Sequence, residues 1–390
     1  MVGFEFATAG RILFGPGVTE QVAPTLADWG ITSALLVTGR DGRRADALVA
    51  QLAARGVTTA SFTVTEEPTV ELARAGVRAV ADAGAGAVIA FGGGSALDAG
   101  KAIAALATNG GEPLDFLEVV GAGRPLKQPP LPFVAIPTTA GTGAEVTRNA
   151  VLAVPEARVK ASLRSPLMLP RLAVIDPELL ASLPRPVIAS SGLDALSQVI
   201  EPFLSLRANP LSDALAREGI GRSAGALGRA YVNGLADDAA ARADLAIASV
   251  CGGLCLANAG LGAVHGFAAP AGGMFGAPHG AICAALLPHV MTVNLRALRA
   301  RAPEHPALAR FRELAVLLTA ASPDDVAAED GITFIGALCR TLDVPGLGRH
   351  GMTRAEIPAL VERAKSSSSM RGNPLVLTDA ELTEIAERAL

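Results

Sequence analysis

The chain has 390 residues, half of them hydrophobic and 18% charged, with a formal net charge of −4. That length exceeds one ordinary core and predicts two domains. Nothing in this weak negative charge points to a nucleic-acid or anionic-membrane partner. Mean hydropathy is high, +0.40, but no uninterrupted run of about 18 apolar residues appears, so no transmembrane helix is expected.

The N-terminus, Met1-Val-Gly-Phe-Glu-Phe, lacks the basic start and apolar stretch of a signal peptide, which predicts a cytoplasmic protein. Residues 1–183 alternate short apolar runs with helical patterns. Ala34–Thr38, Ala87–Phe91, Phe133–Ile136 and Leu172–Ile175 have the length and composition of buried strands. Ala45–Arg55 and Thr69–Ala83 are apolar at helical spacing. Continuous apolar strands separated by helices predict a parallel sheet covered on both faces. Pro184-Arg-Pro186 interrupts this pattern, and from there to residue 390 the chain predicts only helices. The expected architecture is an α/β domain, 1–183, that binds a dinucleotide, followed by an all-α domain, 184–390, that carries metal and substrate. Ligands of open parallel sheets bind at the carboxyl ends of the strands, here the edge expected to face the cleft between the domains.

Two loops at that edge suit phosphate. Gly92-Gly-Gly-Ser-Ala-Leu-Asp98 follows one strand and opens a helix. Its glycines let the backbone approach closely, and a helix N-terminus offers free N–H groups and a favourable dipole. It is not the G-x-G-x-x-G fingerprint. Pro137-Thr-Thr-Ala-Gly-Thr-Gly-Ala-Glu145 follows the next strand and adds three threonine hydroxyls.

In the helical half, Asp194 and Gln198 are one turn apart and share a helix face. His265 and His279 complete a candidate centre. A carboxylate with two imidazoles suits Fe²⁺ or Zn²⁺, and Gln198 offers a weaker, neutral amide oxygen. His289, His305 and His350 read as ordinary core or surface residues. The four cysteines, Cys251, Cys255, Cys283 and Cys339, have neither disulfide nor zinc-ribbon spacing and read as reduced, buried thiols.

The motifs GGGSALD, PTTAGTGAE, GLDALSQVIE and HGFAAPAGGMFGAPHG, in this order and spacing, resemble the iron-containing (group III) alcohol dehydrogenase family over essentially the whole chain. The resemblance implies a dehydroquinate-synthase-like fold, α/β then all-α. It implies hydride transfer between a nicotinamide cofactor and an alcohol–aldehyde or alcohol–ketone pair, and a homo-oligomer, expected to be a dimer. It places Gly92, Gly93, Gly94, Ser95 and Asp98 at the cofactor diphosphate, and Thr138, Thr139 and Thr142 along the phosphates and nicotinamide ribose. Lys160 would help hold that ribose. Asp194, His265 and His279 become catalytic as well as metal-holding.

Three positions depart from the family pattern. Many NAD-using members have Asp where this chain has Gly39, and Arg40, Arg43 and Arg44 follow. An acidic residue binds the ribose 2′-hydroxyl, whereas arginines attract a 2′-phosphate, so NADP(H) is expected over NAD(H). The family has His at position 198, so Gln198 weakens the expected metal site. Ala269 stands where related dehydrogenases carry a histidine that relays the proton. If no metal binds, Gln198 and His265 would act as hydrogen-bond donors to a carbonyl oxygen, an arrangement resembling the maleylacetate reductases, which reduce keto acids. A dehydroquinate-synthase-like lyase would need more basic residues than a helical half whose one lysine is Lys365. Arg148 and Arg371 are candidates to hold an anionic substrate group, and Phe267, Met274 and Phe275 to wall an apolar pocket.

Overall fold

The computed structural model describes residues 3–390. They divide into an α/β unit, Ala7–Thr139 with Gly143–Ala181, and a helical unit, Ser182–Leu390 with Ala140–Thr142 and the described residues before Ala7.

In the α/β unit the elements run β1 (Ile12–Phe14), α1 (Val22–Asp28), β2 (Ser33–Thr38), α2 (Asp46–Ala54), β3 (Thr58–Thr63), α3 (Val70–Ala83), β4 (Ala87–Gly92), α4 (Gly94–Asn109), α5 (Pro113–Phe116), β5 (Phe133–Pro137), β6 (Asn149–Val154), β7 (Val159–Arg164) and β8 (Leu172–Ile175). Six strands form one parallel sheet in the order β1-β8-β5-β4-β2-β3. The four expected strands are its centre, and β1 and β3 are its edges. The alternation of side chains splits the core in two. Leu36, Ile89, Val134 and Ile136 pack on one face beside Leu26, Leu48 and Leu52 of α1 and α2. Leu35, Val37, Val88 and Ala90 pack on the other beside Val80, Leu97 and Ile103 of α3 and α4.

The strands β6 and β7 form a separate antiparallel hairpin, with Asn149 opposite Arg164 and Val154 opposite Val159. Its turn places Arg158 in the left-handed region, φ 51°. Ala150, Leu152, Ala161 and Leu163 bury one face of the hairpin against Val70 and Ala73 of α3 and Ala102 and Leu106 of α4. Lys101 of α4 is buried beneath this hairpin, and its Nζ donates to the carbonyls of Ala144 (2.7 Å) and Asn149 (2.8 Å) and to Thr147 Oγ1 (3.0 Å).

The helical unit contains α6 (Arg185–Leu204), α7 (Pro210–Asn233), α8 (Ala239–Ala259), α9 (Ala263–Phe275), α10 (His279–Arg301), α11 (Ala307–Thr319), α12 (Ala328–Thr341), α13 (Ile357–Ser366) and α14 (Asp379–Arg388). It has no strand among the described residues. Prolines suit helix starts because the first N–H groups lack intrahelical partners: Pro184 precedes α6, and Pro210 opens α7 behind the Asn209 cap. Every α6 residue from Gly192 to Leu204 is buried, so α6 is the central helix of the unit. By length and composition, α8 and α10 could each cross a membrane, but 61% and 72% of their apolar windows are already buried inside the protein.

Candidate active site

The carboxyl ends of β2, β4 and β5 lie side by side, because Thr38 pairs with Phe91 and Phe91 with Ile136. The loops that follow meet there. A Cβ on Gly92 would lie 2.6 Å from Ala96 Cβ and 3.2 Å from the Gly39 nitrogen, so glycine is needed for these backbones to approach. Gly93 caps α4 without a side chain, which leaves the N–H groups of Gly94 and Ser95 at the helix start for a ligand. The Thr138 N–H donates to the Gly92 carbonyl at 2.9 Å, and the Thr139 side chain stands beside Gly93. This cradle fits a diphosphate.

Other expected cofactor residues are differently engaged. Asp98 Oδ2 accepts the Val151 N–H at 3.0 Å and ties α4 to the hairpin. Lys160, on β7, has its Nζ 3.1 Å from Glu67 Oε1. Thr142 belongs to the helical unit. At the end of β2 no atom lies within 4 Å of where a Gly39 Cβ would project. Arg40 donates to the Thr65 carbonyl, Arg43 pairs with exposed Asp41 at 3.0 Å, and Arg44 donates to the Leu179 carbonyl.

In the helical unit the N-terminal turns of α9 and α10 meet the middle of α6. Asp194 and Gln198 are successive turns of α6, and Glu201 is almost two turns beyond Asp194 on the same face. His265 lies in the first turn of α9, while His279 opens α10, with Cys283 one turn further on. One candidate ligand atom from each of Asp194, His265, His279 and Cys283 lies within 4.8 Å of every other. Asp194 Oδ1 is 3.3 Å from His265 Nε2 and 3.6 Å from His279 Nε2.

Two contacts fix this geometry. Glu201 Oε1 accepts the Val264 N–H at 2.6 Å and Oε2 the His265 N–H at 3.3 Å, so α6 caps α9 with a carboxylate. The same Oε2 is 2.6 Å from His265 Nδ1. Nδ1–H donates to it, and Nε2 is left to face Asp194. Glycine makes both approaches possible. A Cβ on Gly262 would lie 2.9 Å from Glu201 Oε1, and one on Gly280 would lie 2.4 Å from the Ser190 carbonyl of α6.

The charges are mutually dependent. Burial opposes ionisation of Asp194, yet the His279 charge and the His265 hydrogen bond hold its carboxyl below the usual range. Burial also opposes protonation of the histidines, but the neighbouring Cys283 and Asp194 outweigh it, raising His265 well above its ordinary value and His279 to about 9. A buried cluster that attracts protons this strongly is also one that a divalent cation satisfies. The spacing agrees. Two donors about 2.0–2.1 Å from one ion at a tetrahedral angle lie about 3.3 Å apart, and the measured separations are 3.3 and 3.6 Å.

Gln198 is buried, and its Nε2 donates to the Gly141 carbonyl at 2.8 Å. Ala269 is half-buried on α9 and puts no titratable group there. Phe267 is fully buried, while Met274 and Phe275 are half-buried near the end of α9. Arg148 is half-buried and Arg371 exposed. His289, His305 and His350 lie outside the cluster. The sequence reading missed Glu201 and Cys283. Their signals were present: Glu201 repeats the Asp194 face at i+7, and Cys283 repeats the His279 face at i+4.

The chain is similar to known proteins along its whole length. Residues 9–177 match the family model "Iron-containing alcohol dehydrogenase", and residues 188–390 match "Fe-containing alcohol dehydrogenase family, C-terminal". Alcohol dehydrogenase 4 of Saccharomyces cerevisiae is 34% identical over 385 residues, covering 96% of each chain. The 1,3-propanediol dehydrogenase of Klebsiella pneumoniae is 33% identical and covers 99% of this chain and 98% of its own. A crystal structure of 1,3-propanediol oxidoreductase superposes with a TM-score of 0.90 at 32% identity, covering all of both chains. The chain therefore belongs to the iron-containing alcohol dehydrogenase family, as an oxidoreductase that moves a hydride between a nicotinamide cofactor and an alcohol–aldehyde pair with a metal at its site.

Proposed function

We propose that the chain interconverts small uncharged alcohols and their aldehydes with NADP(H), holding a divalent metal on Asp194, His265 and His279. The observation that carries this reading is the convergence of those three side chains at tetrahedral spacing. A bound metal would supply Lewis-acid polarisation of the substrate oxygen, and a bound nicotinamide would supply the hydride chemistry. Glu201 holds His265 with Nε2 turned toward Asp194. Asp194 supplies the anionic charge that a cation in this buried position requires. Ala269 carries no group that could take the hydroxyl proton. The relatives named for 1,3-propanediol support a short aliphatic substrate.

The choice of NADP(H) rests on the end of β2. The space at Gly39 admits a 2′-phosphate, and no carboxylate stands at that position to repel it. Arg43 is exposed, and its pairing with exposed Asp41 is weak enough to be exchanged for phosphate. We also propose, on the sequence features given above, a cytoplasmic homodimer.

The test is NADPH oxidation with a panel of short aldehydes, with and without chelator. Turnover should vanish on chelation and return with Fe²⁺ or Zn²⁺. No turnover of any aldehyde or keto acid under any metal would overturn the reading.

A further inference from the structure

We propose that the Cys283 thiolate is a metal ligand in this chain, so that the centre is Asp194–His265–His279–Cys283 and favours thiophilic Zn²⁺ over Fe²⁺. The proposal rests on the metal-site reading above and concerns its donor set. Cys283 is fully buried on α10, one turn after His279. Its Sγ is 3.7 Å from His265 Nε2 and 3.7 Å from His279 Nε2. A tetrahedral zinc with Zn–S about 2.3 Å and Zn–N about 2.0–2.1 Å sets sulfur and nitrogen about 3.6 Å apart. An octahedral ion, with ligands at right angles, would bring the same pair to within about 3.2 Å. The sulfur thus stands at a tetrahedral spacing from both imidazoles.

Gln198 offers less. Its amide is neutral and is anchored through Nε2 to the Gly141 carbonyl, so at best a weak oxygen donor remains. A thiolate is anionic and soft, and with Asp194 it brings two negative charges to a dication in a buried site. The resulting centre is neutral overall, which limits the cost of burial. Soft ligands select zinc from a mixture in which carboxylate and imidazole alone discriminate poorly. Formation of the sulfur–metal bond releases the Sγ proton to solvent, and no electrons change hands. With four protein donors in place, the site would keep room for a substrate oxygen only by the expansion that catalytic zinc sites allow.

The test uses the chelator-stripped full chain reloaded with Co²⁺ alone. Wild type and Gln198→Ala should show a near-ultraviolet thiolate-to-cobalt charge-transfer band at one Co²⁺ per chain. Cys283→Ser and Cys283→Ala should bind Co²⁺ without the band. In a Zn²⁺/Fe²⁺ competition either Cys283 variant should lose at least about tenfold of the zinc preference. Circular dichroism and the thermal midpoint establish that each variant is folded, and two substitutions guard against one failing. Stoichiometric Co²⁺ without the band in wild type, or a band that survives loss of Cys283, overturns the thiolate ligand while leaving the metal site standing. Failure of wild type to bind Co²⁺, Zn²⁺ or Fe²⁺ overturns both.

Discussion

Glu201 Oε2 lies 2.6 Å from His265 Nδ1, and the same carboxylate accepts the second and third N–H groups of α9, those of Val264 and His265. One buried side chain therefore sets both the helix that carries His265 and the ring nitrogen that faces Asp194. Glu201→Gln keeps an acceptor but loses the charge that fixes the imidazole. Metal affinity should fall about 10- to 100-fold, as it does when outer partners of metal-bound histidines are lost. Glu201→Ala should add a stability loss of about 1–3 kcal/mol from unpaired buried N–H groups. Metal titration and thermal unfolding of the two variants separate the effects; equal affinity in wild type and Glu201→Gln would show that the carboxylate does not orient the ring.

Gly280 lets the first turn of α10 lie against α6. Gly280→Ala would place a Cβ 2.4 Å from the Ser190 carbonyl. The backbone must shift, and overpacking of this kind costs about 1–3 kcal/mol. His279 is the neighbouring residue, so metal occupancy should fall together with the melting temperature. A variant that melts earlier with full metal content would place the strain elsewhere.

Gly39→Asp puts a carboxylate into the open space after β2. Like charges brought together cost several kcal/mol, so kcat/KM for NADPH should drop at least about tenfold while that for NADH is kept or improved. Steady-state kinetics with both cofactors decide it. A wild type that already prefers NADH by tenfold would reverse the assignment.

Burial raises the carboxyl of Glu145, in the loop after β5, to about 7 and lowers the ammonium of Lys101 to about 8. The folded state holds the Glu145 proton more tightly than the unfolded chain, whose reference value is 4.5. That contribution to stability is complete below pH 4.5 and is lost as pH rises through 7. For Lys101 the sign is opposite: the contribution is complete above 10.5 and is lost as pH falls through 8. Stability from this pair should thus be lowest between pH 7 and 8. Glu145→Gln should remove the acid-side slope of the urea midpoint; an unchanged slope would assign it to other groups.

Much of this was legible in the sequence because it rests on local patterns. The central strands β2, β4, β5 and β8 are uninterrupted apolar runs, and the glycine-rich turns follow directly. Asp194, His265 and His279 were legible as ligand types, although 71 and 85 residues separate the histidines from Asp194 and only the fold brings them together. Edge strand β3 was hidden because Thr58–Thr63 is half exposed and threonine-rich, without an apolar run. The hairpin β6–β7 was hidden because its buried face depends on α3 and α4. Cys283 was read as an inert thiol since its neighbours His265 and Asp194 come from other helices. The partners of Arg43 and Lys160, which are Asp41 and Glu67, have no sequence signature beyond being acidic.

The most direct test of the central claim is the metal content of the purified chain, measured with NADPH-dependent aldehyde reduction in wild type and Asp194→Asn. The account predicts one divalent metal per wild-type chain, with activity that is lost on chelation and regained on reloading. Asp194→Asn should bind little metal and reduce no aldehyde. Full activity in metal-free wild type, or in Asp194→Asn, would contradict it.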